Sequence, residues 1–140
     1  MTDSPAPGLP DPEFEASERL FRRLHPDHFV SGVVTDAFLP FPSFSVNREK
    51  YSHPEDVLRE HPHYGIAAFA VGDIPEKLDA EPGQVFRFGV EHVPLAGNYA
   101  HSEAHSFLEG VKAEPPRIVR KRFRELLRRR TVVLKKPSTL

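Results

Sequence analysis

Apolar and polar residues alternate over several short stretches of the chain, and these stretches predict β-strands. Residues 84–93 alternate at every second position, which is typical of a strand with one buried face. Residues 64–74 contain the longest apolar run and predict a central strand. Residues 29–46 combine β-branched and aromatic residues with proline turns, as in several short strands. Residues 99–111 fit both the strand and the helix period, so both remain open.

Other segments repeat their apolar residues at helical spacing. Residues 13–24 follow an Asp-Pro-Glu sequence typical of a helix start, and Phe14, Phe21 and Leu24 fall on one face. A shorter helix is predicted from Ser52-His53-Pro54-Glu55 to about residue 60. Residues 116–130 open on two prolines, and their apolar face consists of Ile118, Val119, Phe123, Leu126 and Leu127. The predicted class is α+β, a small mixed or antiparallel sheet flanked by an N-terminal helix and a basic C-terminal helix.

The length of 140 residues indicates one domain. Residues 1–12 are rich in proline and predict a disordered lead-in, residues 13–136 the domain, and residues 137–140 a tail. The absence of cysteine excludes disulfides and thiol catalysis, and we expect no cofactor. With no long apolar segment and no basic leader at the N-terminus, we expect a cytoplasmic protein without membrane contact.

Charge changes this picture, because the formal net charge of −1 conceals a strong asymmetry. Residues 117–136 hold ten Lys and Arg residues against one Glu, so the rest of the chain is acidic. Such a segment favours an acidic protein surface or nucleic acid as partner, with self-association or a solvated helix as alternatives. The predicted partner-binding residues on helix 116–130 are Arg117, Arg120, Lys121, Arg124, Arg128 and Arg129. The first functional hypothesis is therefore a small bacterial binding or accessory protein.

Histidines provide the candidate metal chemistry. His101 and His105 are four residues apart, a spacing compatible with metal binding on a helix. On a strand, both would share one face with Glu103, and His92 would supply a third ligand. The other interpretation of these histidines is a polar surface. His25 and His61 are assigned to the ends of predicted helices, where a histidine favours the helix dipole.

The second hypothesis is an enzyme with a pocket built from histidine, asparagine and glutamate. The loop after residue 94 joins a predicted strand to the histidine segment, and it carries Asn98. The candidate catalytic residues are Arg22, Arg23, Ser43, Ser45, Asn98, His101 and Glu103.

Several short motifs resemble a broad group of small bacterial proteins without a settled activity. These motifs are Leu20-Phe21-Arg22-Arg23, Asp36-Ala37-Phe38-Leu39-Pro40, Ser43-Phe44-Ser45-Val46 and, after Pro94, Asn98-Tyr99-Ala100-His101. Phe44 replaces the usual leucine and Tyr99 the usual proline. The resemblance implies a bacterial origin and little mechanism.

The order of an early arginine, a Ser-x-Ser strand and a later glutamate also resembles the ADP-ribosyltransferases. That resemblance implies that Arg22 or Arg23 holds dinucleotide phosphates and that Ser43 or Ser45 supports the ribose. It implies that Glu103 or Glu109 stabilises the reacting centre. The chain departs from the family pattern because His101 and Phe107 stand where a partner residue precedes each glutamate.

Overall fold

The computed structural model describes residues 8–138, which form ten strands and one α-helix. The strands are β1 (Arg19–Leu24), β2 (Phe29–Val30), β3 (Val33–Val34), β4 (Ser43–Arg48), β5 (Gly65–Ala70), β6 (Lys77–Asp79), β7 (Val85–His92), β8 (His101–Leu108), β9 (Val111–Lys112) and β10 (Val132–Lys135). The helix α1 spans Arg117–Arg130. Short 3-10 turns connect several strands, and one of them, Pro54–Leu58, replaces the predicted helix near residues 53–60.

All paired strands are antiparallel, and the main sheet has the order β10-β5-β1-β4-β8-β7-β6, with β9 on β8. β2 and β3 form a separate hairpin. The sheet curls into a half-barrel around the apolar core. The ambiguous segment 99–111 is thus mostly strand, since β8 pairs with both β4 and β7.

The predicted α+β class with two flanking helices is wrong, because residues 19–24 form the interior strand β1, between β5 and β4. Leu20 and Phe21 point to opposite faces of the sheet and both are fully buried. A strand covered on both faces lacks the alternation that identifies strands, and its apolar residues matched a helical spacing by coincidence. In the described residues, α1 is therefore the single α-helix.

The two faces of the sheet have different environments. The first face carries Leu20, Val46, Phe69 and Phe88 and packs against the helix α1. Val119, Phe123 and Leu127 of α1 are buried there at intervals of four residues. The second face carries Phe21 and Asn47, which are paired across β1 and β4. This second face holds the candidate site.

The N-terminal segment is fixed to the sheet by polar contacts where the sequence predicts a disordered lead-in. Residues 1–7 lie outside the described residues, but Asp11 accepts hydrogen bonds from Lys50 and Tyr51. These contacts hold the pKa of Asp11 well below its usual range, with Lys50 contributing most. Its backbone nitrogen also donates to Nδ1 of His92 at 2.8 Å. Within residues 8–138, no helix is long and apolar enough to cross a membrane.

Candidate functional site

A cleft of about 740 Å³ lies on the second face of the sheet. Its floor comes from β1, β4 and the start of β8, and its walls come from the segment 54–64 and the turn 95–98. This volume lies in the range of roughly 300–1,000 Å³ that small-molecule sites occupy. Five of the seven predicted catalytic residues line it: Arg22, Arg23, Ser45, Asn98 and His101.

The cleft lies where β1 and β4 separate. These strands pair at only two positions, Leu20 with Arg48 and Phe21 with Asn47, whereas β1 stays paired with β5 along its whole length. The side chain of Arg22 bridges this gap, since Nη1 donates to the Ser45 carbonyl of β4 at 2.7 Å and Nε to the Phe38 carbonyl, in the 3-10 turn Asp36–Phe38, at 2.8 Å. Both carbonyls therefore keep a donor where the strands part.

Arg22 is a partly buried cation that keeps donor capacity. Burial lowers the pKa of Arg22 to about 10, and repulsion from Arg23 adds to this effect. The side chain still carries its charge at neutral pH. A guanidinium has five N–H donors, and the two carbonyl contacts use two of them. The remaining N–H groups make no hydrogen bond among the described residues, and Arg22 lines the cleft where β1 and β4 part.

Two asparagines connect the floor of the cleft to its wall. Asn47 is 5% exposed, and its Oδ1 accepts a hydrogen bond of 2.9 Å from Nδ2 of Asn98. Asn98 closes a tight turn with Leu95, which needs the positive φ of 77° at Gly97. Arg59 ties the other wall to this turn by donating to the Gly97 carbonyl at 2.8 Å. Hydrogen bonds thus join the turn 95–98 to both the floor and the opposite wall at the mouth of the cleft.

Ser45 and His101 meet on the floor, from adjacent strands. Nδ1 of His101 lies 2.9 Å from the Val93 carbonyl, and Nε2 lies 3.3 Å from Oγ of Ser45. A carbonyl only accepts, so in the neutral imidazole Nδ1 carries the hydrogen and the lone pair of Nε2 faces Ser45. The Ser45 hydroxyl is therefore a donor to a correctly oriented imidazole.

The lining of the cleft is rich in cationic and imidazole groups. Arg22, Arg23 and Arg59 line it together with His25, His28, His61 and His101, against the two acids Asp56 and Glu60. Burial lowers the pKa of His28, and the charges of His25 and Arg22 lower it further. These contacts favour the neutral form of His28, while the arginines supply the positive charge.

An aromatic cluster lies at one end of the cleft, around Tyr64. The rings of His61 and Tyr64 stack with centroids 4.4 Å apart, and His25 meets Tyr64 edge-on at 4.8 Å. The guanidinium of Arg23 lies 5.8 Å from the centre of the same ring. The assignment of His25 and His61 to helix ends is wrong, because neither follows an α-helix and both line the cleft.

The remaining catalytic candidates lie outside this lining. Ser43 is opposite His105, and Glu103 is opposite Ser45 in the ladder between β4 and β8, without lining the cleft. Glu109 lines a separate depression beside β7. Neither glutamate implied by the ADP-ribosyltransferase resemblance lines the cleft with Arg22 and Ser45.

The three candidate metal ligands do not converge. His92 lies on the first face of the sheet, with Nδ1 on the Asp11 nitrogen and Nε2 donating to the Tyr99 carbonyl at 2.6 Å. His101 and His105 lie on the second face, and His105 contacts Glu91 at 3.1 Å. Among residues 8–138, no group of three His, Cys, Asp or Glu side chains is arranged to hold a metal ion.

The basic helix α1 divides its arginines between two directions. Arg120, Arg124 and Arg128 turn towards the body and donate to the carbonyls of Pro115, Leu39 and Val34, respectively. Arg128 also pairs with Asp36 at 2.9 Å. The exposed basic residues of α1 are Arg117, Lys121, Arg122, Arg129 and Arg130. Half of the predicted partner-binding set therefore supports the fold of the molecule itself.

Sequence reasoning missed Asn47, Arg59 and Tyr64 as cleft residues. Asn47 gives no signal of its own, because it takes the polar position that the alternation of residues 43–46 predicts, and only Arg48 interrupts the pattern. Arg59 and Tyr64 reach the cleft only because the segment 54–64 folds back over the sheet. Comparison of the chain with protein-family models, with curated proteins and with solved structures finds no match.

Proposed function

We propose that the protein is an enzyme that binds a phosphate-bearing small molecule in the cleft. The observation that carries this proposal is the three arginines, Arg22, Arg23 and Arg59, that line one cavity of ligand size. Arginine suits this ligand class because its fork of N–H donors matches phosphate oxygens. The aromatic cluster at Tyr64 adds a surface on which a planar base can pack. A nucleotide combines both features, and it fits the cytoplasmic location that the sequence predicts.

The two other enzyme hypotheses receive less support. The ADP-ribosyltransferase resemblance retains Arg22 and Ser45, which are joined through the Ser45 carbonyl, but neither candidate glutamate lines the cleft. A metal-dependent activity lacks a ligand set among the described residues. The cleft offers arginine donors and the Ser45–His101 pair instead.

Binding of ADP tests this proposal, with adenosine as the uncharged control ligand. We expect ADP to bind measurably more tightly than adenosine in isothermal titration calorimetry, because only ADP engages the arginines. Arg23→Gln and Arg59→Gln should each weaken ADP binding at least about tenfold, the effect of losing one charge-assisted hydrogen bond. Lys112→Gln, the same charge change on the remote strand β9, should leave the affinity unchanged. Equal affinity for ADP and adenosine, or equal loss in all three variants, would contradict the proposal.

A second candidate function is the binding of an acidic partner by the outward side of α1. In the described part of the chain, Arg117, Lys121, Arg129 and Arg130 have no acidic side chain within ion-pair distance. Ile118 on the same helix is 70% exposed. A surface of this kind attracts a polyanion through the release of its counterions.

Retention on duplex DNA at graded salt concentrations tests this second function. We expect binding at about 50 mM salt that weakens steeply as salt is added. The double variant Lys121→Glu/Arg129→Glu should lose at least about tenfold in affinity. A control with the same charge change, Arg87→Glu/Lys112→Glu, should keep the wild-type affinity, because both residues lie away from α1. Loss in the control as large as in the helix variant would show that only net charge matters.

A further inference from the structure

The hydroxyl of Ser45 and the imidazole of His101 form a polar pair in the cleft. The proposed binding function rests on the arginines and does not use this pair. Their polar atoms are 3.3 Å apart, a distance that commonly shortens when substrate binds. Ser45 is exposed to the cleft rather than packed in the core. Ser45 lies on β4 and His101 on the neighbouring strand β8. In the ladder between these strands, His101 is opposite Asn47, which is two residues after Ser45 and on the same face. The sheet therefore holds the pair at a fixed separation.

The ring of His101 is oriented for proton transfer from Ser45. The Val93 carbonyl fixes Nδ1 at 2.9 Å, and the backbone of Val93 in turn donates to the His101 carbonyl at 3.0 Å. Two contacts between the same two residues restrain both the backbone and the ring. Nε2 is left as the basic nitrogen, directed at the serine hydroxyl. A nucleophile, a base and a group that orients the base are the parts that an activated serine needs.

The surroundings of Ser45 suit a reaction at phosphorus. Arg22 donates to the carbonyl of Ser45 itself, and it reaches the cleft from the first face, where its guanidinium packs on the rings of Phe38 and Phe44. Arg23 follows Phe21 on the same face of β1, so its charge lies on the side of the cleft. Positive donors placed next to a nucleophile stabilise the charge of a phosphoryl group in transfer.

We infer that Ser45 is a nucleophile and His101 its general base in phosphoryl transfer from the ligand of the cleft. This inference rests on the proposed function. Oγ of Ser45 forms a bond to phosphorus as the bond from phosphorus to the leaving oxygen breaks, and the hydroxyl proton passes to Nε2 of His101. The leaving oxygen departs on the opposite side of phosphorus and takes its proton from water, and the imidazolium gives up the Ser45 proton to solvent before the next step. Water, activated by the same imidazole, attacks the phosphoserine and releases phosphate, which restores the hydroxyl of Ser45.

The chain provides a matched control serine on the same strand. Ser43 lies two residues before Ser45 on the same face of β4, but it is opposite His105 and does not line the cleft. Ser102 and Ser106 on β8 are fully buried, and their hydroxyls donate to backbone carbonyls. Selective reaction at Ser45 would thus reflect His101 and the cleft rather than the reactivity of serine in general.

Covalent labelling of the full chain with diisopropyl fluorophosphate tests the inference. In this reaction a bond from Oγ to phosphorus forms, fluoride leaves, and His101 accepts the proton. We expect mass spectrometry to show one added group, mapped to Ser45, in the wild type and in Ser43→Ala. Ser45→Ala should gain none there, while its circular dichroism spectrum and its urea unfolding midpoint match those of the wild type, which shows that it is folded. His101→Gln should slow labelling about 10²-fold or more.

The outcomes separate this inference from the proposed function. ADP should slow the labelling of the wild type, because both occupy the cleft. A protein that binds ADP but is not labelled at Ser45, or is labelled equally in His101→Gln, overturns the nucleophile and leaves the binding function intact. Labelling at Ser45 that ADP does not slow, in a protein that calorimetry shows not to bind ADP, supports the nucleophile and overturns the phosphate-bearing ligand.

Discussion

Replacement of Arg48 by methionine should lower the free energy of unfolding by about 3–5 kcal/mol, the range for removing one partner of a buried ion pair. Arg48 is fully buried, and its guanidinium donates to both carboxylate oxygens of Glu18, at 2.8 and 2.9 Å. It also donates to the carbonyls of Asp11 and Glu13, at 2.7 and 2.6 Å. Methionine fills the space but leaves these acceptors without donors. Urea unfolding monitored by circular dichroism measures the change.

A double variant separates the buried charge from the loss of packing. In Glu18→Gln/Arg48→Met the carboxylate is removed as well, so the uncompensated charge is gone. We expect this variant to be more stable than Arg48→Met alone, because an unpaired buried charge is the largest part of the cost. Two results would show that the ion pair is weak. One is a loss of unfolding free energy below about 1 kcal/mol in Arg48→Met. The other is a loss in the double variant that equals the sum of the losses in Glu18→Gln and Arg48→Met.

The contacts of Arg48 hold residues 11–18 against the sheet. Proline and polar residues around Asp11 offer little apolar surface, so composition alone predicts disorder there. One buried arginine nevertheless binds two backbone carbonyls and one side chain of this segment, and its charge lies 3.9 Å from the ring centre of Phe14. These partners are 30 or more residues away in the chain. No local pattern in the sequence indicates such pairing.

The elements that could be predicted are those whose pattern is local. The alternation in 84–93 corresponds to β7, and the basic amphipathic segment 116–130 corresponds to α1, which begins one residue later. β1 could not be predicted in this way, because both of its faces are covered, the first by the core under α1 and the second by the 3-10 turn Pro54–Leu58. The fold class was wrong because this strand was predicted as a helix and because the short helix predicted near residues 53–60 is a 3-10 turn, which leaves a curled antiparallel sheet with one C-terminal helix.

The candidate site shows the same division between local and distant information. Arg22, Ser45 and His101 could be selected from the sequence because their residue types carry chemistry. Their convergence could not be predicted, since it depends on the order of the strands in the sheet. For the metal hypothesis, closeness in sequence was misleading. His92 is nine residues before His101 but lies on the other face of the sheet. Position within the sheet, rather than residue type, decides which chemistry is available.

The helix α1 provides the second large expected effect, through Phe123. This side chain is 1% exposed, and its ring lies 4.6 Å from that of Phe88 and 5.1 Å from that of Phe41. Phe123→Ala should lower the free energy of unfolding by about 3–5 kcal/mol, the usual cost of a cavity left by a core phenylalanine. Phe123→Leu keeps most of the volume and should lose clearly less. Urea unfolding again gives both values.

The matched control for Phe123 lies on the same helix. Ile118 is 70% exposed, and Ile118→Ala should change the stability by no more than about 0.5 kcal/mol. Because α1 packs on the first face of the sheet and the cleft lies on the second, Phe123→Leu should bind ADP as the wild type does once it is folded. A loss of ADP affinity in folded Phe123→Leu would contradict this separation, and it would show that the packing of α1 shapes the cleft through the sheet.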